Sequence, residues 1–585
     1  MAENKTCKQC KKEFVVTDDD LAFYNKISPT FDGKVFEIPA PTLCPDCRNR
    51  RRLGVRNVTN LYKRKCDLCG REMVSMYSPD KTDLKVYCSD CWWSDKWSHS
   101  DFAQDYDPSK SFIEQITELK QKVPAPALMH AGDENSDYIN LANDNKSCYL
   151  VFLSGRNEDT YYGYWSEDSK NCCDVSYNSF CELCYEGINL GRCYNAHWAI
   201  MCRDCRDCYF IEDSSNCSDC IMCSRLAHKQ YCYKNKQLTK EEYEIIKAEL
   251  IAGLETKLDE YKKEFHEIVI TQPKKYSQIL RSENCTGDNI FDSKNCQHCF
   301  MTSMAEDCKF CYDLNRGKDS YDITGFGIPI ELVYESQNVG LGSGRCAFIS
   351  FAYQLADSYY SEHCYYSKYL FGCVGAKNHA EYCILNKQYT KEEYEKKVAE
   401  IITNMMATPL RPGSAGQGWG EFFPAGFSSF GYNETMAIEY YPMPKEEAEK
   451  LGYFWFEQNS DIEFNGVSYE PLPIEKYKND ETERQKLLGG VLKCIKTGRP
   501  FKIMPQELLF YIKNNLPIPK VHWEQRMTDR LNLINRNILY HRQCDCEQGG
   551  HDHDGKKCER EFETTYSPNQ PEKVYCENCY SWEEK

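Results

Sequence analysis

Small residues return every twelve positions through the middle of the chain: Ser136, Cys148, Thr160, Cys172, Cys184, Ala196, Cys208, Cys220 and Cys232. A second row, Cys181, Cys193, Cys205 and Cys217, runs three residues ahead of the first. A fixed period of this length marks a stack of near-identical turns of chain. It predicts a short-coil parallel β-solenoid over residues 133–237, with equivalent residues stacked about 4.8 Å apart. A twelve-residue coil is narrow and admits only small side chains. Ser, Thr and Ala share the cysteine column, so the coil cysteines are expected as reduced, packed thiols, with bound metal and disulfides as the alternatives. Tyr149, Tyr161, Tyr185, Tyr209 and Tyr233 follow the column and are expected to point outward as an aromatic ladder.

The pattern switches to helical spacing at three places. Ser111 and Glu114 form a capping box before Ile113, Ile116, Leu119 and Val123, which predicts a helical linker over 101–132. Thr239 and Glu242 open a longer stripe, Tyr243, Ile246, Leu250, Leu254, Leu258, Tyr261, Phe265 and Ile268, which predicts capping helices over 238–274. Cys296, Cys299, Cys308 and Cys311 restart the coil spacing and predict a second solenoid over 275–388. Its last coil, Tyr382 to Tyr394, repeats Tyr231 to Tyr243 almost residue for residue, so a capping helix is expected again over 389–408. Terminal caps are what a solenoid needs for solubility. Residues 409–480, rich in Gly, Pro and aromatics, read as an irregular connector.

The two ends are related. Aligning Cys544 with Cys66 places Arg526 on Arg48, Arg530 on Arg52, Asn535 on Asn57, and Cys576-Glu577-Asn578-Cys579 on Cys88-Ser89-Asp90-Cys91. Residues 1–100 therefore read as a double zinc-ribbon module and 481–585 as its degenerate copy. The fold class expected is mainly β with helical caps: two zinc-ribbon-type modules flanking two solenoid segments.

Cysteine spacing names the chemistry of the ends. Cys7-x-x-Cys10 with Cys44-x-x-Cys47, and Cys66-x-x-Cys69 with Cys88-x-x-Cys91, are two four-thiolate sets that suit tetrahedral zinc and leave no open coordination position. In the copy, the counterparts of the first set are Cys494, Thr497, His522 and Gln525, so that site is expected to have lost its metal. The second set survives as Cys558, Cys576, Cys579 and either Cys544 or Cys546. Three zinc ions are expected. His551 and His553 fall on an insertion, Glu547 to Lys557, and read as loop residues, with a fourth zinc ligand from one of them as the alternative.

Composition changes the picture in two ways. The chain carries 36 cysteines and 42 tyrosines in 585 residues, with a net charge of −17. An acidic total argues against a protein that coats nucleic acid. The first seventy residues nevertheless carry net positive charge, concentrated in Arg48, Arg50, Arg51, Arg52, Arg56, Lys63, Arg64 and Lys65, with Trp92, Trp93 and Trp97 beyond. Such a run beside aromatics can hold phosphates and stack bases. No apolar run reaches membrane-spanning length, and no signal-peptide pattern opens the chain, so a reducing cytoplasmic setting is expected. No phosphate-binding loop or nucleophile motif is present, and Gly340 to Gly344 lacks the lysine a phosphate loop needs.

Cys7-x-x-Cys10 with Leu21-Ala22-Phe23-Tyr24, Cys44-Pro45-Asp46-Cys47-Arg48, Tyr77-Ser78-Pro79-Asp80, the Cys/Tyr-rich coils and Tyr432-Asn433-Glu434-Thr435 together resemble a family of zinc-ribbon proteins from candidate-phyla bacteria. That resemblance covers nearly the whole chain and implies structural metal without an established activity. The reading that follows is a zinc-binding scaffold or interaction protein without catalysis, meeting another protein or assembly. An RNA- or ribosome-associated factor is the alternative, and a thiol-based metal store or redox buffer the third.

Overall fold

In the computed structural model, which describes residues 2–407, 418–457 and 466–583, the twelve-residue period becomes hydrogen-bond register. The protein is mainly β and is dominated by two large parallel sheets. The first ladder has eleven strands from His130–Ala131 to Lys236–Gln237. Its neighbours pair at a constant offset: Asn140 with Phe152, Cys173 with Tyr185, Ala196 with Cys208, Cys220 with Cys232. Bridges outside the strands keep the same offset, as in Glu134 with Lys146 and Lys146 with Glu158. The second ladder, of twelve strands from Ile279–Leu280 to Lys387–Gln388, is less regular. Its offset is eleven at Ile279 with Ile290 and thirteen at Gln337 with Ser350, which absorbs the glycine-rich stretch.

A second periodicity lies beneath the first. From Asn135 to Lys234 every third residue is left-handed, with φ close to +50°. Through the middle of the ladder the side chain just after each of these points inward, so Cys172, Val175, Asn178, Cys181 and Cys184 are all buried. Each twelve-residue turn therefore bends four times. Asn and Asp tolerate this conformation and fill many of the bends, among them Asn171, Asp174, Asn189 and Asp204. Tyr, Trp, Leu and Met fill others, and there the stacked hydrogen bonds must hold a backbone conformation the residue does not prefer.

None of the 36 cysteines is disulfide-bonded. The inner thiols donate weakly to carbonyls of their own turn, for example Cys205 Sγ to Arg203 O and Ser214 O, both at 3.4 Å. Burial pushes the thiols of Cys148 and Cys346 up to about 12, which keeps them protonated and unreactive.

Each ladder ends in a two-residue antiparallel hairpin, turned by the left-handed pairs Lys234-Asn235 and Leu385-Asn386. A boxed helix follows: Lys240–Thr271 after Thr239, Lys391–Ala407 after Thr390. The first is a single 32-residue helix. It does not simply lid the last turn. It runs back along the side of the ladder, with Phe265 against Phe210 (5.8 Å between rings) and Lys262 paired to Glu186 at 2.8 Å.

The tyrosines correct the expectation of an outward ladder. Tyr161, Tyr185 and Tyr209 are buried, because this helix and the C-terminal module cover the face they occupy. Parts of the expected connector, residues 409–417 and 458–465, lie outside the described residues. Among the described residues, no helix is long and apolar enough to cross a membrane.

Candidate metal centres

Three knuckles share one turn. Cys7, Cys66 and Cys494 each open a loop in which the residue four positions on is left-handed (Lys11, Gly70, Gly498) and donates its N–H back to the cysteine carbonyl at 2.8–3.0 Å. The second pair of each N-terminal set begins a helix. Cys44 caps Pro45–Leu53 and Cys88 caps Ser89–Trp93, so one thiol of each pair sits before the first turn and the other within it. The positive end of the helix dipole favours thiolate there. The Cys44 thiol is drawn down to about 5, first by its hydrogen bond from Cys47, while burial opposes the shift.

The geometry fits zinc. A Zn–S bond of about 2.3 Å in a tetrahedron gives an S···S edge of about 3.8 Å. Cys10 and Cys44 lie 3.6 Å apart and Cys69 and Cys88 3.9 Å. The third set is Cys544, Cys558, Cys576 and Cys579, all buried, with Cys576 and Cys579 at 3.5 Å. Cys544, not Cys546, thus completes this set of four. Four thiolates close the coordination sphere, and zinc held this way supplies a rigid cross-link. Cys494 and His522 are buried but gather no such set, and His522 Nδ1 instead accepts the N–H of Glu524 to cap the helix Trp523–Leu531.

A fourth cluster goes beyond the single histidine ligand the sequence suggests. Cys546, His551, His553 and Cys579 bring their ligand atoms together. The C-x-C and H-x-H spacings of the insertion were the available signal. Among the described residues every four-ligand set lies in the end modules and none within the ladders.

The basic run is corrected most sharply. Arg48, Arg51, Arg52 and Arg56 are between 0 and 4% exposed, so they form no face for phosphate. The carboxylates that take Arg48, Arg51 and Arg52 come from the second ladder and the connector, while Arg56 lies over Trp165 of the first ladder. Asp322 takes Arg48 at 2.9 Å and Arg52 at 3.2 Å. Arg51 pairs with Glu335 and, at 3.0 Å, with Glu421. Arg64 is also buried and holds Asp67 at 3.0 Å. Arg50 is part-buried against Cys47. Only Lys63 and Lys65 stay exposed. Trp92 and Trp97 are buried as well, with Trp92 against Tyr365.

The C-terminal copy repeats this clamp on the other ladder. Asp174 takes Arg526 at 2.9 Å and Arg530 at 2.8 Å. The two guanidiniums outweigh the burial penalty and hold the Asp174 carboxyl below its ordinary range. Arg526 lies over the ring of Tyr162 as Arg48 lies over Phe310, and both rings sit twelve residues before the clamped aspartate. Tyr511 meets Tyr185 as Tyr24 meets Tyr334. The N-terminal module thus grips the second ladder and the C-terminal module the first. Two short parallel pairings complete the exchange: Val86–Tyr87 with Ala125–Pro126, and Val574–Tyr575 with Lys274–Lys275.

A cavity of about 1290 Å³ lies between the first ladder, the long helix and the C-terminal module. Trp198, Phe210, Leu258, Phe265, Arg530 and Tyr566 are among its walls. Trp198 Nε1 and Arg530 Nη2 are buried there without a hydrogen-bond partner. Glu439, part-buried at the same wall beside Tyr164 (3.3 Å), has its carboxyl pushed up to about 7 by burial. A carboxyl raised on folding stabilises below its unfolded value, and that contribution is lost as pH rises through the folded value. Glu439 is therefore expected to withdraw about 2–3 kcal/mol of stability between roughly pH 4.5 and 7. In thermal melts across this range, Glu439→Gln should flatten the slope and raise the melting temperature at pH 8. An unchanged slope would show the carboxyl to be ordinary.

Against this geometry the comparisons add one family. Residues 3–54 match the family described as "Probable treble clef domain". The match spans the first knuckle, its hairpin and the helix that carries Cys47. The match accords with a zinc-ribbon-like module whose second pair of cysteines opens a helix. A comparison with curated proteins finds no match. Among solved structures, a Desulfovibrio desulfuricans G20 protein whose crystal structure is described as that of an acetyltransferase aligns at 8% identity. The alignment covers 44% of this chain and 68% of that one with a TM-score of 0.10, too low to carry an argument.

Proposed function

We propose that the chain is a cytoplasmic scaffold of two β-solenoids, locked together by zinc-bearing modules, that receives a segment of another protein in the cavity beside the first ladder. The carrying observation is the cavity itself. Its volume exceeds the ~300–1,000 Å³ usual for small-molecule sites. Aromatic and aliphatic walls supply burial for the apolar side chains of an extended peptide. The other conspicuous groups are already engaged. The arginines clamp the ladders, Tyr161, Tyr185 and Tyr209 are covered, and the outer charged columns neutralise themselves, as in Lys170 with Glu158 at 3.2 Å and Arg192 with Asp204 at 2.7 Å. The metal sets are closed and do not speak for catalysis.

The test is photo-crosslinking in the host cell with a reactive residue at Met201 in the cavity wall, and with one at Lys170 on the outer column as control. A protein adduct at Met201, absent at Lys170 and lost in a Trp198→Ala background, is expected. Adducts of equal strength at both positions, or an RNA adduct, would refute the reading.

A further inference from the structure

The third and fourth clusters share a residue. Cys579 Sγ lies 3.5 Å from Cys576 Sγ in the four-thiolate set. It also lies 3.4 Å from His551 Nε2 and 3.5 Å from His553 Nε2. Cys546 Sγ closes the second group at 3.6 Å from His551 Nε2. With Zn–S near 2.3 Å and Zn–N near 2.0–2.1 Å, a tetrahedron has S···N edges of about 3.6 Å. Both groups have the edge lengths of a filled site, yet together they offer seven ligand residues, not eight.

We propose that the C-terminal module holds a two-zinc cluster in which the Cys579 thiolate bridges the metals. Cys544, Cys558 and Cys576 complete one tetrahedron, and Cys546, His551 and His553 complete the other. Charge favours the pair. One zinc with four thiolates carries −2, whereas two zinc ions with five thiolates and two neutral imidazoles carry −1, a smaller burden where all five cysteines are buried.

The local chain is built for it. The N-terminal knuckle turns directly from Cys66 to Cys69. The copy opens that turn with the insertion between Cys546 and Cys558, and left-handed Gly550, Asp554 and Gly555 fold it back. Cys558 donates its N–H to Cys546 O at 2.9 Å. Asp552, between the two histidines, is held by Arg560 at 2.9 Å and Asn578 at 3.1 Å. The ring of His551 stacks on Trp582, 4.5 Å between centroids. Binding of the second zinc would release the Cys546 proton and fasten the insertion to the helix Glu577–Glu583 that carries Cys579.

Native mass spectrometry of the intact chain tests the count. Four zinc ions are expected in the unaltered protein, one per cluster. The paired substitution His551→Ala and His553→Ala should remove one ion and leave the circular dichroism unchanged, because it alters only the insertion. Cadmium-113 exchange tests the bridge: two C-terminal resonances should show metal–metal coupling through the shared sulfur. Three zinc ions in the unaltered chain, an unchanged count in the histidine variant, or two uncoupled cadmium resonances would each overturn the proposal.

Discussion

Stripping zinc from the intact chain is expected to release the N-terminal clamp and spare its C-terminal counterpart. Cys44 and Cys47 set the first turn of the helix Pro45–Leu53, and the same helix carries Arg48, Arg51 and Arg52 into the second ladder. Structural zinc of this kind contributes about 10–16 kcal/mol to the folding of a small domain at neutral pH, far more than the core of residues 3–54 can supply alone. The helix Trp523–Leu531 depends on no metal. His522 caps it, and Arg526 and Arg530 hold it to Asp174. Hydrogen exchange after chelation should therefore show lost protection at Pro45–Leu53 and at its partner strand Tyr321–Gly327. Trp523–Leu531 and Cys173–Ser179 should remain protected. Cys47→Ser should give the same pattern without chelator. Equal loss at both clamps would mean that metal organises the whole molecule through some other route.

Removing either clamped carboxylate is the second large effect. Asp322→Ala leaves Arg48 buried and unpaired and Arg52 with Glu335 alone at 4.0 Å, and Asp174→Ala leaves Arg530 unpaired and Arg526 with Glu507 alone at 3.8 Å. Orphaning a buried charge costs about 3–5 kcal/mol. Each substitution should loosen only the module it holds. Limited proteolysis should cut near Arg48–Arg56 in the first variant and near Arg526–Arg536 in the second. The loss should shrink when the paired arginines are also replaced by Met, because the desolvated charges leave together. A full-sized loss in the triple variant would place the energy in packing and not in the ion pairs.

The twelve-residue register was legible because a coil too narrow for large side chains leaves its constraint in the sequence, as the Cys/Ala/Thr column shows. The metal sets were legible because four ligands must come in two tight turns. The three-residue corner was not, since the left-handed positions accept Tyr162, Trp165 and Leu183 as well as Asn and Asp, and the hydrogen-bond stack, not the residue, imposes the conformation. The arginine run misled for a different reason. Sequence gives charge but not location, and Asp322, Glu335 and Glu421 lie hundreds of residues away. The repeat held a usable clue. Of the basic run, the copy keeps Arg526, Arg530 and Arg542 at the positions of Arg48, Arg52 and Arg64. Those are the guanidiniums that hold Asp174 and Asp545, as their counterparts hold Asp322 and Asp67. The tyrosine face was misread because its covers come from elements far along the chain.

The central claim is that thiols serve as architecture in two separate ways, metal-pinned at the ends and packed without metal inside the ladders. Site-resolved thiol labelling of the native chain, with and without chelator, tests it most directly. Before chelation almost no labelling is expected apart from Cys285, which is partly exposed at the start of the second ladder. Afterwards label should appear at the module cysteines, Cys7 to Cys91 and Cys544 to Cys579, while Cys172, Cys184, Cys205, Cys299 and Cys346 stay protected. Labelling of the buried ladder cysteines in the metal-loaded chain, or their appearance only as metal is withdrawn, would overturn this division.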